Sequence, residues 1–370
     1  MQKARYIFRT IKTKVPRTVT MFGKKTLVVG KPAFFDAVAN IIESGTEVFA
    51  PVRYEDQANF RRINSVGEVL WGKPQTVIPP KFIIFPQSET LIRYEMNGGI
   101  NVSSTLDSKP AVLLGVHPCD INAIFLLDMV FSEKNVDEYY MSRRKNLIII
   151  GADCLEPCSD ESFCLRKDSL TPWGGYDIFL TDIGDRFYAE VGTKRGEELL
   201  SKIASKPSGD DKKKLKKIRE KRDRLFNRSQ KKLKPSLRDL PRLLRENYNS
   251  EVWGKRGEKC LSCGSCNMVC PTCYCFDVRD CLDLDLRRGE RLRTWDGCML
   301  TDFTRVASGE IFREERGARL RHRTSRKDLY LFEKWGKPFC TGCGRCGIAC
   351  LTKIVSPIEI ENEIYEVSKR

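Results

Sequence analysis

The chain of 370 residues is 41% hydrophobic and 31% charged, a balance that excludes a disordered or membrane-embedded protein and leaves room for two or three domains. Its formal net charge of +16 admits acidic partners. Sixteen cysteines without a secretory signal exclude a disulfide framework and read as metal ligation in a reducing compartment.

The first residues, MQKARYIFRTIKTKVPRTVTMFGKK, are basic and lack an apolar h-region, so export is not expected. No acidic residue precedes Asp36, as in a mitochondrial transit peptide, but a loosely ordered basic start is the plainer reading. No apolar run approaches the roughly 20 residues that span a bilayer, so no membrane insertion is expected and the default location is cytoplasmic.

From residue 26 to about 200, short apolar runs alternate with Gly, Pro and polar clusters. TLVVG, EVFAPV, KFIIFPQSETLIRY, AVLLGVH, NLIIIGADC and YDIFLTD are predicted strands, rich in Val, Ile, Phe and Tyr. FDAVANIIES and DINAIFLLDMVF have helical spacing, and TDIGDRFYAEVG predicts a hairpin turning at Gly184-Asp185. Residues 202–247 are dense in charge and predict one or two exposed helices broken near Pro235, with Asp210 or Asp211 as N-cap. Beyond residue 258, Phe303, Val306, Ile311 and Phe312 recur at helical intervals, whereas SPIEIENEIYEV alternates like a strand. The expected fold class is α+β, in three parts. These are a mixed α/β domain (1–200), a basic helical connector (201–257) and an all-α ferredoxin-type domain (258–370).

Two runs carry the chemistry. Cys260, Cys263, Cys266 and Cys270 fall at C-x2-C-x2-C-x3-C, followed by Pro271. Cys340, Cys343, Cys346 and Cys350 repeat that spacing about seventy residues later. This pattern holds a [4Fe–4S] cubane, and in two-cluster ferredoxins the fourth cysteine of each run serves the other cluster. Cys260, Cys263, Cys266 and Cys350 are therefore expected at one cluster, and Cys340, Cys343, Cys346 and Cys270 at the other. Gly264, Gly342 and Gly344 let the backbone turn closely and aim N–H groups at the sulfurs. Zinc also takes four thiolates, but it more often pairs two cysteines with two distant ligands.

Cys119 follows one predicted strand, and Cys154, Cys158 and Cys164 follow another. If those strands are neighbours, four thiolates meet at their ends and hold a third iron–sulfur cluster; a zinc site and plain packing are the alternatives. Cys273, Cys275, Cys281 and Cys298 are surplus to the eight and read as core residues, with Cys273 and Cys275 near enough to influence a cluster. Only His117 and His322 are present, and neither a dinucleotide fingerprint nor a P-loop appears, so little general-base or nucleotide chemistry is expected.

The ordered set CLSCGSCNMVCPTCYCFDV, WDGCM, VASGEIFR and CTGCGRCGIAC, with LLGVHPCDINAI and NLIIIGADC earlier, resembles a known family. It contains the β subunit of soluble archaeal sulfhydrogenases and the corresponding iron–sulfur subunit of anaerobic sulfite reductase, and the match covers roughly residues 35–355. The resemblance implies a non-catalytic iron–sulfur subunit carrying single electrons between a flavin- or ferredoxin-linked partner and a catalytic oxidoreductase subunit. It carries the eight cysteines over position by position, with Cys119, Cys154, Cys158 and Cys164 as a further site. Leu351 departs from the pattern, standing where proline often follows the last cysteine; the basic N-terminus and the lysine-rich connector lie outside it.

The leading expectation is thus an electron-transfer subunit of an anaerobic oxidoreductase with two [4Fe–4S] clusters and a possible third. Basic residues in 202–256 and 313–327 offer a surface to an acidic protein, and Arg345 should raise the potential of a nearby cluster. No nucleic-acid partner is expected, although a zinc-stapled nucleic-acid-binding protein is the rival that the charge favours. An enzyme with substrate at an incompletely ligated cluster near Cys119 is a third reading.

Overall fold

The computed structural model describes residues 25–72, 75–96, 98–106 and 109–370. The basic N-terminus singled out above lies outside these residues, apart from Lys25. Among them the strands run β1 (Lys25–Gly30), β2 (Glu47–Tyr54), β3 (Gln57–Arg62), β4 (Ser88–Met96), β5 (Ile100–Ser104) and β6 (Ala111–Val116). They continue with β7 (Leu147–Ala152), β8 (Ile178–Asp182), β9 (Arg186–Val191), β10 (Ala204–Ser205), β11 (Phe276–Leu282) and β12 (Arg288–Trp295).

Eight strands form one sheet in the order β10-β1-β9-β8-β7-β6-β2-β3. Its centre, β2-β6-β7-β8, is parallel, and antiparallel strands flank it on both sides. The sequences explain the placement. AVLLGV and LIIIGA are apolar on both faces, as a strand covered above and below must be, and almost every residue of β6 and β7 is buried. One face packs Phe34 and Val38 of the helix Lys31–Glu43 against Leu27, Val48, Leu114 and Phe187. The other packs Ile121, Ile124 and Leu127 of the helix Pro118–Phe131 against Leu113, Ile149 and Phe179. The hairpin expected at Gly184-Asp185 is β8-β9, where Gly184 takes φ +115°, a value that side chains rarely tolerate.

A second sheet, β11-β12-β4-β5, is antiparallel throughout and joins the two halves of the chain. It overturns the expected all-α character of 258–370. The hairpin DVRDCLDLDLRRGERLR is charged on both faces, with β11 almost wholly exposed and β12 mostly half-buried, so it carries no apolar alternation to announce it. Its reason for being is register with β4, from Arg288↔Glu95 to Thr294↔Ser88.

Three smaller expectations also change. SPIEIENEIYEV is a helix, Pro357–Val367, with Pro at its start and Ile358, Glu361 and Ile364 turned inward. The segment around Val306 is a short 3-10 turn and a bridge between Arg305 and Ile311; the helix begins only at Arg316. The connector helix, Gly209–Ser229, is capped by Ser208, whose hydroxyl accepts from Asp211 N–H while the Asp211 carboxylate answers the Ser208 N–H at 2.9 Å. That helix is exposed on one face only: Arg222 and Phe226 are buried.

Candidate metal centre

The twin cysteine loops fold alike. Each enters a short helix, Ser265–Met268 or Arg345–Ala349, through a left-handed glycine, Gly264 (φ +71°) or Gly344 (φ +80°). A methyl group on Gly344 would sit 2.5 Å from the backbone of Glu161, so the second loop closes only because this position is bare. The two helices pack together, and the fourth cysteine of each run is thereby carried to the opposite loop.

Cys260, Cys263, Cys266 and Cys350 line one hollow of about 370 Å³, walled by Met299, Ile354 and Val355. Cys270, Cys340, Cys343 and Cys346 line a second of about 320 Å³, walled by Phe163, Pro357, Arg323 and Lys327. These are the two crossed sets that the spacing implies. Cys119, Cys154, Cys158 and Cys164 line a third hollow of about 280 Å³. They meet because β6 and β7 are parallel neighbours, Leu113↔Ile149, whose carboxyl ends lead into His117-Pro118-Cys119 and Asp153-Cys154. Phe226 of the connector helix closes this hollow, and Cys343 borders both it and the second.

Hydrogen bonds reach several sulfurs. Ser262 N–H donates to Cys260 Sγ at 3.4 Å. Gln230 is aimed by Leu165 N–H, which donates to its Oε1 at 3.1 Å, so that its amide donates to Cys164 Sγ at 3.4 Å. Burial raises Cys266 and Cys343 to about 12 and Cys164 to about 11, and it pushes Cys119, Cys154 and Cys340 well above the ordinary thiol range. Such thiols become thiolates only when a positive centre replaces the proton. No three His, Cys, Asp or Glu groups among the described residues converge tightly enough for a single metal ion. Each four-cysteine set instead surrounds a wide hollow, the arrangement a cubane requires.

The electrostatics fit an anionic group. Arg319, Arg323 and Lys327 recur every four residues as one buried stripe of the basic segment 313–327. Arg319 donates to the Arg313 carbonyl at 2.9 Å and to Ser262 Oγ at 2.8 Å, although its Nε is buried without a partner. Arg323 donates to the Cys266 carbonyl at 3.3 Å and also reaches the Cys346 sulfur, while its Nε is buried without a partner. Lys327 donates to Thr272 Oγ1 at 2.6 Å, and neither it nor Arg323 meets a carboxylate among the described residues. Buried cations are costly unless paired, and metal-bound thiolates would supply the missing anion. Part of the charge read as a partner surface therefore faces inward, which weakens the nucleic-acid reading. The spacing of 319, 323 and 327 was the available signal for this stripe.

Arg345 is also buried, but its guanidinium is neutralised by Asp120, so it is not the uncompensated charge expected from the sequence. Lys167 lies between Asp328 (3.2 Å) and Glu361 (2.6 Å), close to Cys340. His117 is buried and does not border the third hollow; burial lowers its pKa and keeps it neutral. Cys281 lies on β11 opposite Glu290.

Sulfur loops of this kind define the class: residues 259–354 match the family model of the 4Fe-4S dicluster domain. The chain is 33% identical to the sulfhydrogenase 2 subunit beta of Pyrococcus furiosus over 340 residues, 90% of this chain and 96% of that protein. It belongs to the sulfhydrogenase β-subunit family of iron–sulfur proteins. No solved structure matches it. No helix among the described residues is long and apolar enough to cross a membrane.

Proposed function

We propose that the chain is the electron-transfer subunit of a multi-subunit oxidoreductase related to sulfhydrogenases. It links a flavin- or ferredoxin-linked partner to a separate catalytic subunit, and it docks acidic proteins through the outer face of its basic connector. The observation that carries this reading is the gathering of twelve cysteines into three four-cysteine hollows, two of them crossed between the twin loops.

In this reading Cys260, Cys263, Cys266 and Cys350 hold one [4Fe–4S] cluster, and Cys340, Cys343, Cys346 and Cys270 hold the other. Cys119, Cys154, Cys158 and Cys164 hold a third. The clusters supply reversible one-electron chemistry over a wide range of potentials. The chain supplies the rest. Phe163, Pro357, Ile354 and Val355 exclude water, Gln230 and backbone N–H groups soften the sulfur charge, and Arg323 and Lys327 balance it. Cys343 borders two hollows, so the third site and the dicluster form one continuous row. The three parts 1–200, 201–257 and 258–370 act as a platform for the third site, a clasp over it, and the dicluster itself.

Anaerobic purification tests the proposal. Brown protein with iron and acid-labile sulfide in equal amounts, reducible paramagnetic centres and electron exchange with viologen dyes is the expected result. Colourless protein holding zinc, or iron that no reductant can reach, would refute it.

A further inference from the structure

The hairpin that the sequence hides does more than widen a sheet. Cys275 immediately precedes β11 and Cys298 follows β12 by three residues, and the pairing Phe276↔Trp295 draws both to the foot of the hairpin. The Asp296 N–H donates to the Cys275 carbonyl at 3.0 Å and holds the two strand ends together. Cys273 joins them on the turn after Pro271, where its N–H donates to the Cys270 carbonyl at 3.4 Å. The three cysteines border a hollow of about 370 Å³, the same volume as the one around Cys260, with His322 on its wall.

The surroundings repeat those of the four-cysteine sets. Asn267 is almost wholly buried, and its Oδ1 is occupied by Met299 N–H at 3.2 Å. The amide nitrogen is thereby turned onto two sulfurs at once, Cys273 and Cys298, each 3.6 Å away. The bare Gly297 leaves room for it, since a side chain there would meet Asn267 at 2.7 Å. Arg323 and Lys327, the buried cations without carboxylate partners, border this hollow as well as the second one. Lys81, also buried, donates to the Cys273 carbonyl at 2.6 Å and has no carboxylate partner among the described residues. The imidazole of His322 makes no hydrogen bond to the described residues. Plain packing does not account for this: an apolar core has no use for an amide clamped between two sulfurs beside three buried cations that meet no carboxylate among the described residues.

We propose that Cys273, Cys275 and Cys298 hold an additional iron–sulfur cluster, with His322 as its fourth ligand. The three sulfurs and the imidazole are too widely spread for one zinc ion, and they face a space of cubane size. Iron is bound through three thiolates and one neutral nitrogen, a ligand set that raises a cluster's potential relative to four thiolates. Thr272, Arg323 and Lys327 wall both this hollow and that of Cys270, Cys340, Cys343 and Cys346, so the new site extends the row as a branch.

The test uses the full chain, purified anaerobically. Native mass spectrometry of the wild type should show one cubane beyond those of the three four-cysteine sets. Cys275→Ala and Cys298→Ala should each remove one cluster's worth of iron and sulfide, and one signal from the paramagnetic spectrum of the reduced protein. Cys281→Ala, on the same hairpin but away from the hollow, should keep the full content. His322→Gln should keep the three-thiolate site but convert its cluster to a three-iron form on mild oxidation. Unchanged iron in both cysteine variants, zinc in the wild type, or a wild-type mass without the extra cubane would overturn the site. An unchanged spectrum in His322→Gln would overturn the histidine ligation. A wild type that holds clusters but no extra one refutes this site alone, whereas one without reducible iron refutes the electron-transfer reading itself.

Discussion

Arg345 forks onto Asp120 across the molecule, with Nη1–Oδ1 at 2.6 Å and Nη2–Oδ2 at 2.7 Å, and both side chains are buried. One partner stands next to Cys119 and the other between Cys343 and Cys346, so the pair ties the start of the helix that carries Cys119 to the second cysteine loop. Its Nε donates to the Thr76 carbonyl at 2.7 Å, which fixes the plane of the guanidinium. A positive charge placed among sulfurs is thereby cancelled at short range.

Asp120→Asn should undo that cancellation. The Arg345 charge would then favour the reduced, more negative form of the neighbouring clusters. A unit charge about 8 Å away at an effective dielectric near 20 shifts a one-electron potential by on the order of 100 mV. The potentials should move upward in a titration followed by electron paramagnetic resonance. Breaking one side of a buried pair should also cost about 3–5 kcal/mol of stability, visible as an earlier thermal transition.

Cys164→Ala should remove the iron of the third site while leaving the dicluster signals in place. Gln230→Ala, which deletes the N–H···S bond to Cys164 together with the bonds to Leu165 N–H and Ser162 Oγ but leaves every cysteine in place, should keep that iron and lower the potential by on the order of tens of millivolts. Iron analysis and redox titration together separate the two effects. If Gln230→Ala left every potential where it was, the hydrogen bond would be structural only.

Gly344→Ala should impair loading of the second loop. The new methyl group meets Glu161 backbone atoms at 2.5 Å, and φ of +80° adds strain of about 1–3 kcal/mol. Gly309→Ala carries a similar φ of +86° with nothing within 4 Å and serves as the strain-only control. The expected contrast is a loss of iron in the first variant and a small drop in melting temperature in the second.

Glu361 should make stability fall as pH rises. Burial raises its carboxyl to about 8; Lys167 pulls the other way and Asp328 adds to the rise. The folded pKa exceeds the unfolded one, so the folded state binds more protons between the two values. Its stabilising effect is complete below about 4.5 and is lost as pH passes through about 8. Melting temperatures from about pH 6 to about pH 8.5 should decline more steeply in the wild type than in Glu361→Gln.

The features legible in the sequence are those set by neighbours along the chain. The C-x2-C-x2-C spacing determines a loop within a dozen residues, and the apolar runs of β6 and β7 announce a covered parallel sheet whose ends carry Cys119 and Cys154. What stays hidden depends on distant partners. The hairpin β11-β12 has no buried apolar face of its own, its one buried side chain being Arg293, and its register with β4 makes it a strand pair. Asp120 lies 225 positions from Arg345, so no local pattern marks their pairing. The tail helix misleads for another reason: alternating Ile and Glu mimics a strand, while Pro357 at the first turn and the inward Ile364 obey the helical period.

Because β4 and β5 complete the sheet that β11 and β12 begin, the cysteine-rich half is no detachable ferredoxin. A fragment starting near residue 258 would leave the outer edge of β12 bare and strip Lys81 from its seat beside Cys273. The cysteine loops and the platform that seats them therefore stand or fall as one folded unit.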